Sequence, residues 1–201
     1  MRSAFRHLKK VDPALAAVIE RVGPCRLTLV KDGSHFDHVV RCIVYQQLSG
    51  KAAATIHGRL LAMFGGRRPT PAQLVRARVP ALRAVGLSGR KVEYIQELAR
   101  RTMTGELPIE RIHTMGGDEV IDTLTSIRGI GRWTAQMVLM FRLGHPDVFP
   151  ELDLGIQKAV QKLHRMRKLP TPQKMEKIGA RWAPYRSVAT WYLWRSLDVA
   201  G

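Results

Sequence analysis

Thr123-Leu-Thr-Ser-Ile-Arg-Gly-Ile-Gly-Arg-Trp-Thr-Ala-Gln-Met-Val-Leu139 joins two amphipathic helical patterns through the short turn Gly129-Ile130-Gly131. Two glycines around one apolar residue predict a tight turn that leaves backbone N–H groups unpaired at the start of the next helix. Such N–H groups favour a bound anion, for example a phosphate. We therefore expect a helical hairpin over about 124–143 with Ile130 as its buried peg, although a plain corner between two helices also explains Gly-x-Gly.

Helical spacing of apolar residues continues on both sides of this hairpin, and only Cys25–Val30 alternates like a strand. Capping residues before proline mark helix starts at Asp12-Pro13, Thr70-Pro71 and Thr171-Pro172. A second helical pair, from His35 to Gly65-Gly66, is broken at Gln46-Gln47-Leu48 and resumes after the cap Ser49. Further helices are expected over 72–78, 80–86, 90–104, 117–126, 132–143, 153–164, 172–182 and 185–197. The predicted class is all-α.

The composition is that of a globular protein with a strongly basic surface. The 201 residues include 33 Lys and Arg against 16 Asp and Glu, a formal net charge of +17, and 45% are apolar. This balance favours polyanionic partners, nucleic acid first. With only Cys25 and Cys42, neither a disulfide framework nor a four-thiolate cluster can form. Since no apolar run approaches a membrane span and no signal-peptide core is evident, we expect a cytoplasmic protein, associated with the nucleoid through DNA.

A carboxylate follows the hairpin in Phe149-Pro150-Glu151-Leu152-Asp153-Leu154-Gly155-Ile156. An Asp directly before an apolar helix is most often a simple N-cap, worth about 1 kcal/mol. Near a phosphate-binding hairpin, the same carboxylate is also placed to face the sugar of a nucleotide extruded from the duplex. Both interpretations of Asp153 stay open at this point.

Together these features resemble the helix-hairpin-helix (HhH-GPD) DNA glycosylase superfamily. Within it, the chain looks most similar to the 3-methyladenine DNA glycosylase II (AlkA) type, on segments that span roughly 13–197: Gln46-Gln47-Leu48-Ser49, Val85-Gly86-Leu87-Ser88 with Lys91 and Tyr94, and Trp182-Ala-Pro-Tyr-Arg-Ser-Val-Ala-Thr-Trp-Tyr-Leu-Trp194. The resemblance implies a two-lobed fold with the active-site cleft between the lobes. The central lobe would comprise 36–145, and 1–35 plus 146–201 would form the second.

Two departures from the family pattern refine this expectation. The bifunctional branch, similar to endonuclease III, has a lysine nucleophile where this chain has Trp133, and it carries a four-cysteine cluster. The resemblance therefore implies a monofunctional hydrolase that uses water, without lyase activity and without an iron–sulfur cluster. The β-rich N-terminal domain of the best-known bacterial member is also missing from the sequence, so we expect a minimal two-lobed form.

The resemblance also assigns roles to individual residues. Asp153 would be catalytic, with Glu151 as the nearest competing carboxylate, and Gln47 and Leu48 would be the wedge that fills the gap left by the extruded base. A core position is an equally good explanation for Leu48. Aromatic faces attract a cationic base, and the pocket would draw on Trp133, Trp194, Tyr45, Met137, Tyr185 and Trp191. Tryptophans on apolar helix faces are more often core residues, so only Trp133 and Trp194 are preferred.

The resemblance assigns phosphate binding to five residues of the hairpin: Gly129, Ile130, Gly131, Arg132 and Thr134. In the superfamily, hairpin carbonyls also hold a monovalent cation, Na⁺ or K⁺, which by position would be bound here by Thr125, Ile127 and Gly129. No required cofactor and no divalent-metal site is expected. His35 and His38 lack a third ligand at useful spacing and are interpreted as surface residues.

The sequence thus predicts a monomeric, monofunctional DNA glycosylase of base excision repair that acts on alkylated purines in damaged double-stranded DNA. Three alternatives remain. The enzyme could act on deaminated or oxidised bases, the chain could be a non-catalytic helix-hairpin-helix module that only grips DNA, or it could be a basic structural protein of a ribonucleoprotein.

Overall fold

The computed structural model describes residues 1–198, and within them the chain is helical without a β-strand. The predicted all-α class is therefore confirmed. The α-helices of the described chain are α1 (Arg2–Val11), α2 (Pro13–Val22), α3 (His35–Tyr45), α4 (Gly50–Met63), α5 (Pro71–Arg76), α6 (Val79–Ala84), α7 (Gly89–Met103), α8 (Gly117–Thr125), α9 (Arg132–Val138), α10 (Leu154–Leu163), α11 (Pro172–Gly179) and α12 (Arg186–Asp198).

Side-chain caps fix the helix starts that the sequence indicates. Ser49, Thr70 and Thr171 each accept a hydrogen bond from the backbone N–H three residues on. The buried Asp12 accepts from two backbone amides at the start of α2, and its second oxygen accepts from the indole nitrogen of Trp182 at 3.0 Å. These predicted helix starts are confirmed.

Several local features differ from the expectation. Helix α1 was not predicted, because four of its ten residues are Lys or Arg and only Ala4 and Leu8, one turn apart, are buried. The segment 25–30 is not a strand. The helix expected over 132–143 changes at its end, since α9 stops at Val138 and a π-helical turn, Leu139–Leu143, follows. The short 3₁₀ helix at Ile109–Thr114 was not predicted, and the helix expected over 172–182 ends in a 3₁₀ turn at Ala180–Trp182.

The chain divides into two compact units. The terminal unit comprises Met1–Val30 and the segment that begins at Leu139, and the central unit comprises Lys31–Val138. The sequence placed these boundaries near 36 and 145, a few residues farther along the chain. The reason for the earlier boundaries is local: the Val30 amide donates to the Phe141 carbonyl at 2.7 Å, and Arg142 donates to the Val30 carbonyl at 2.6 Å, which ties the π-helical turn to the terminal unit.

Each unit has its own buried core. In the terminal unit, α12 packs on α2 and α10 around the fully buried Trp182 and Tyr192. In the central unit, α7 packs on α3, α5 and α6, with Ile95 and Leu98 fully buried. Among the described helices, none combines the length and the apolar character that a membrane span requires.

Candidate nucleic-acid interface and active site

The turn between α8 and α9 has the predicted hairpin geometry. The amide of Ile127 donates to the Leu124 carbonyl at 3.1 Å, and the amide of Ile130 donates to the Ile127 carbonyl at 3.0 Å. The Ile130 side chain is 4% exposed. Its expected place as the buried peg is therefore correct, but its N–H is engaged within the turn, so Ile130 fixes the hairpin rather than supplying a phosphate donor.

Gly129 is required at its position for two reasons. Its φ is +85°, in the left-handed region that glycine adopts without steric cost. A Cβ placed there would lie 2.1 Å from the ring of Tyr94 on α7. The tyrosine ring thus packs directly on the Gly129 backbone and holds the turn in place, a contact that the sequence did not reveal.

Gly131, by contrast, faces open space, with nothing within 4 Å of an added Cβ. Among the residues that the structure describes, the amides of Gly129 and Gly131 have no acceptor. Arg132 is exposed beside them. Thr134 is only 5% exposed and its hydroxyl lies 3.5 Å from the Gln46 amide nitrogen, which assigns Thr134 to positioning of the turn rather than to phosphate contact.

The break between α3 and α4 forms an exposed turn, 46–49, called here the wedge turn. Gln47 has a φ of +56°, unusual for a residue other than glycine. This conformation reverses the chain and leaves Leu48 40% exposed. The exposure excludes the core explanation for Leu48 and leaves an apolar side chain projecting from a tight turn.

Two side chains connect the wedge turn to its surroundings, Lys91 from outside the turn and Gln46 from within it. The Lys91 ammonium donates to the carbonyls of Val44 and Gln46, both at 2.7 Å, and so caps the end of α3. The Gln46 side-chain amide donates to the Gly129 carbonyl at 2.9 Å, which links the wedge turn to the hairpin. Burial lowers the pKa of Lys91 from its ordinary value. Lys91 lies in a segment that carries the family resemblance, but its partners could not be predicted.

Asp153 is the N-cap of α10, and it does more than cap. Its Oδ1 accepts from the Ile156 amide at 2.8 Å and from the indole nitrogen of Trp194 at 3.3 Å. The first bond is the ordinary cap, whereas the second comes from α12 and is not needed to start a helix. Two N–H donors on one oxygen orient the half-buried carboxylate in a fixed direction.

Neighbours of this carboxylate that the sequence did not single out shape its surroundings. A Cβ at Gly155 would lie 3.0 Å from Asp153 Oδ1, so glycine makes room for the carboxylate. Phe141 stacks on Trp194 with ring centroids 6.0 Å apart and an interplanar angle of 21°. The π-helical turn that carries Phe141 thereby supports the indole that donates to Asp153.

The predicted pocket residues of the central unit, two aromatic residues and one methionine, differ in exposure. Trp133, at the start of α9, is 46% exposed, which excludes a core role. Met137, one turn later, is 9% exposed. The ring of Tyr45 is covered by the Arg41 guanidinium, 4.9 Å from the ring centroid, and His57 meets it edge-on at 6.2 Å. Of these three side chains, only Trp133 offers a large accessible ring.

The predicted pocket aromatics of the terminal unit are half-buried and pack against its core. Trp191 contacts Tyr192 edge-to-face at 4.9 Å and lies under Arg195 at 5.9 Å. Tyr185 contacts the His7 ring at 5.5 Å. Trp194 is distinguished from both because it alone of the three contacts Asp153 by hydrogen bond.

Among the described residues there is no group of three or more His, Cys, Asp or Glu that could hold a metal ion. His38 is buried, contrary to the expected surface position, because it lies on the inner face of α3. Both cysteines are free thiols, and burial raises the pKa of Cys42 to about 11, so its nucleophilic thiolate is disfavoured.

The hairpin carbonyls predicted to hold a monovalent cation suit such an ion. The Thr125 carbonyl ends α8, where helix carbonyls lack intrahelical partners. The Ile127 and Gly129 carbonyls each accept one hydrogen bond, from Ile130 and Gln46, and retain a second lone pair. The cation itself stays a prediction.

Comparison with known proteins agrees with this geometry. Residues 40–184 match the family described as HhH-GPD superfamily base excision DNA repair protein. The chain is 34% identical over 197 residues to DNA-3-methyladenine glycosylase 1 of Schizosaccharomyces pombe, covering 96% of this chain and 86% of that protein. A solved structure of the 3-methyladenine DNA glycosylase of that organism, in complex with abasic DNA, superposes with a TM-score of 0.87 at 34% identity and covers 98% of each chain.

A second solved structure supports the same relationship. DNA-3-methyladenine glycosidase from Bacillus halodurans is 36% identical, with a TM-score of 0.83, covering 96% of this chain and 89% of that one. The resemblance on which the sequence interpretation rests is thereby confirmed. The chain belongs to the HhH-GPD superfamily of base excision DNA repair proteins.

Proposed function

We propose that the chain is a monofunctional DNA glycosylase of base excision repair that hydrolyses the N-glycosidic bond of alkylated purines, of the 3-methyladenine type, in damaged double-stranded DNA. The observation that carries this proposal is the Asp153 carboxylate, held by the Ile156 amide and the Trp194 indole. The names of the relatives support the substrate class. The remaining features of the two units supply the grip on DNA and the extrusion of the base.

The reaction does not need a strong general acid, because an N-alkylated purine is already cationic. The C1′–N bond breaks, its electron pair neutralises the departing base, and the sugar develops oxocarbenium character. Asp153 stabilises that positive charge, accepts a proton from the attacking water, and lets the water oxygen bond to C1′. The products are a neutral free base and an abasic site.

Trp133 favours hydrolysis over a lyase reaction. A lyase step needs an amine that forms a Schiff base with the sugar. Trp133 follows Gly131-Arg132 where the bifunctional relatives have that amine, and an indole cannot attack C1′. Its exposed ring is instead suited to contact the cationic base by cation–π attraction, worth about 0.5–2 kcal/mol.

The hairpin anchors the strand through backbone groups. The outward amides of Gly129 and Gly131 donate to a phosphate oxygen, with the exposed Arg132 side chain beside them. A monovalent cation on the carbonyls of Thr125, Ile127 and Gly129 would add positive charge facing the same phosphate. Since the chain carries a net charge of +17, we expect the affinity for undamaged DNA to fall steeply with salt.

Base extrusion is assigned to the wedge turn. Leu48, 40% exposed on a strained turn, fills the space that the extruded nucleotide leaves, and Gln47 lies beside it. Trp194 orients Asp153 through the hydrogen bond from its indole nitrogen. We expect the protein to act as a monomer in the cytoplasm, at the nucleoid.

The experiment that tests the proposal measures base release. Duplex DNA methylated with dimethyl sulfate is incubated with the protein, and free bases and strand breaks are quantified with and without alkali. We expect free 3-methyladenine and breaks that appear only after alkali. Parallel duplexes with hypoxanthine or uracil test the other lesion classes. A protein that binds duplex DNA yet releases no base from any of these would be the non-catalytic module instead.

A further inference from the structure

Helix α7 contacts two exposed turns of the central unit at once. Lys91, in its first turn, donates to the carbonyls of Val44 and Gln46 at 2.7 Å. Tyr94, three residues on, packs its ring on the backbone of Gly129. Residues three apart lie on the same face of a helix. One face of α7 therefore braces both the wedge turn and the hairpin turn.

A direct bond joins the two turns as well. The Gln46 side-chain amide donates to the Gly129 carbonyl at 2.9 Å, while the Gln46 backbone carbonyl accepts from Lys91. Gln46 is thus held at its backbone by α7 and connects through its side chain to the hairpin. The wedge turn cannot shift without disturbing the carbonyl face of the phosphate-binding turn.

The Lys91 ammonium supplies hydrogen-bond donors to backbone carbonyls where α3 ends and the wedge turn begins. At the end of α3 the last carbonyls have no intrahelical partner, and the left-handed Gln47 prevents the helix from continuing. Among the described residues, Lys91 makes no ion pair, and two of its three N–H donors are directed to the carbonyls of Val44 and Gln46 instead. The ammonium is part-buried against these carbonyls, and this burial lowers the pKa of Lys91 from its ordinary value.

From these contacts we propose that Lys91 is a positioning residue for base extrusion: it holds the wedge turn so that Leu48 inserts in register with the phosphate gripped by the hairpin. This inference rests on the proposed function, since it assumes that Leu48 enters the duplex. Lys91 itself touches neither the base nor the sugar. Its effect passes through Leu48, and this dependence makes it testable.

The test is a double-mutant cycle on single-turnover base release from methylated duplex DNA at saturating protein. Lys91→Met is expected to slow release at least tenfold and to leave the affinity for undamaged duplex within about twofold. In a Leu48→Ala background, the same substitution is expected to have almost no further effect, because the wedge is already gone. Lys177→Met, which removes an exposed α11 lysine, is the matched control and should leave both quantities unchanged.

A second readout follows insertion without chemistry. A duplex with 2-aminopurine next to a tetrahydrofuran abasic analogue should brighten when the wild type unstacks the base, but not with Leu48→Ala or Lys91→Met. Lys91→Arg keeps a cation with N–H donors and should restore part of the signal. If Lys91→Met does not fold, the cycle is run with Lys91→Arg, whose smaller defect must likewise vanish in the Leu48→Ala background.

The outcomes separate this inference from the proposed function. Absence of base release by the wild type would refute the proposed function. If the wild type releases base, two results would overturn the role of Lys91 and leave the proposed function standing. One is a Lys91→Met rate equal to the wild-type rate, and the other is a double variant whose loss equals the sum of the Lys91→Met and Leu48→Ala losses. Additive losses would mean that Lys91 stabilises the fold in general and does not act through the wedge.

Discussion

Two helix starts in this protein are built in opposite ways. Helix α9 begins after Gly131, which has no side chain and faces open space. Helix α10 begins after Asp153, whose own carboxylate accepts from the Ile156 amide and, in addition, from Trp194. One start leaves the amides of its turn for an anion that comes from outside, and the other supplies the anion itself.

The difference teaches how a strongly basic chain divides recognition from chemistry. In the proposed function, the hairpin meets a phosphate with the neutral amides of Gly129 and Gly131, and the Arg132 side chain lies beside them. At α10, one of the 16 acidic residues is fixed by two N–H donors, and the proposed mechanism assigns to it the stabilisation of the positive charge that develops on the sugar. We expect substitutions at the first start to change affinity and substitutions at the second to change the rate.

The largest expected effect is at Asp153. Asp153→Asn keeps a capping side chain but removes the charge, so base release in a single turnover should fall about 10²–10³-fold, equivalent to about 3–4 kcal/mol. Glu151→Gln removes the same charge two residues earlier and is the control, with release expected within about twofold of wild type. If Glu151→Gln abolished release while Asp153→Asn retained it, the assignment would be wrong.

Next in size is the stability cost of filling the hairpin turn. Gly129→Ala forces a left-handed residue to carry a Cβ that would lie 2.1 Å from the Tyr94 ring. The free energy of unfolding should decrease by about 2–4 kcal/mol, measured by urea denaturation. Gly131→Ala meets open space and should change it by less than about 0.5 kcal/mol. Equal losses of unfolding free energy for Gly129→Ala and Gly131→Ala would contradict the requirement for glycine at position 129.

Trp194→Phe isolates the indole donor. The ring that stacks on Phe141 is kept and the N–H to Asp153 Oδ1 is lost. A hydrogen bond to a charged group contributes about 1.5–3 kcal/mol, and this one is long, so we expect a rate decrease of about tenfold. The measurement compares kcat and KM of Trp194→Phe with those of the wild type. A change confined to KM would assign Trp194 to base contact alone.

The smallest effect is expected at the start of α9. Gly131→Ala places a methyl group where a phosphate oxygen approaches, and loss of one hydrogen bond of about 1 kcal/mol weakens affinity for undamaged duplex about fivefold. Gly116 is a matched control, since it also precedes a helix, α8, and also faces open space. Equal affinities for Gly131→Ala and Gly116→Ala, measured by fluorescence anisotropy, would remove the phosphate site from the hairpin.

Local signals explain what could be predicted from the sequence. The two glycines around Ile130, the Asp before an apolar pattern and the capping residues before proline each act over a few residues, and the structure has a turn or helix start at each. The family resemblance added the wedge at Leu48, which the apolar pattern alone could have assigned to the core.

The contacts that orient the site were not predictable, because they join residues far apart in the chain. Lys91 reaches carbonyls 47 and 45 residues away, and Gln46 reaches one 83 residues away. Phe141 lies beside Trp194 only because α9 gives way to a π-helical turn, which no residue pattern announced. Pattern reasoning named the groups that are proposed to meet DNA and missed the contacts that hold those groups in place.

The central claim, that the two helix starts serve different steps, is tested most directly by measuring affinity and single-turnover rate together for Gly131→Ala and Asp153→Asn on methylated duplex DNA. We predict that Gly131→Ala weakens binding while its rate at saturating protein matches wild type. We predict the reverse for Asp153→Asn, with wild-type affinity and a rate lower by about 10²–10³-fold. A loss of affinity by Asp153→Asn that accounted for its lost activity, or a lower saturating rate for Gly131→Ala, would contradict the account.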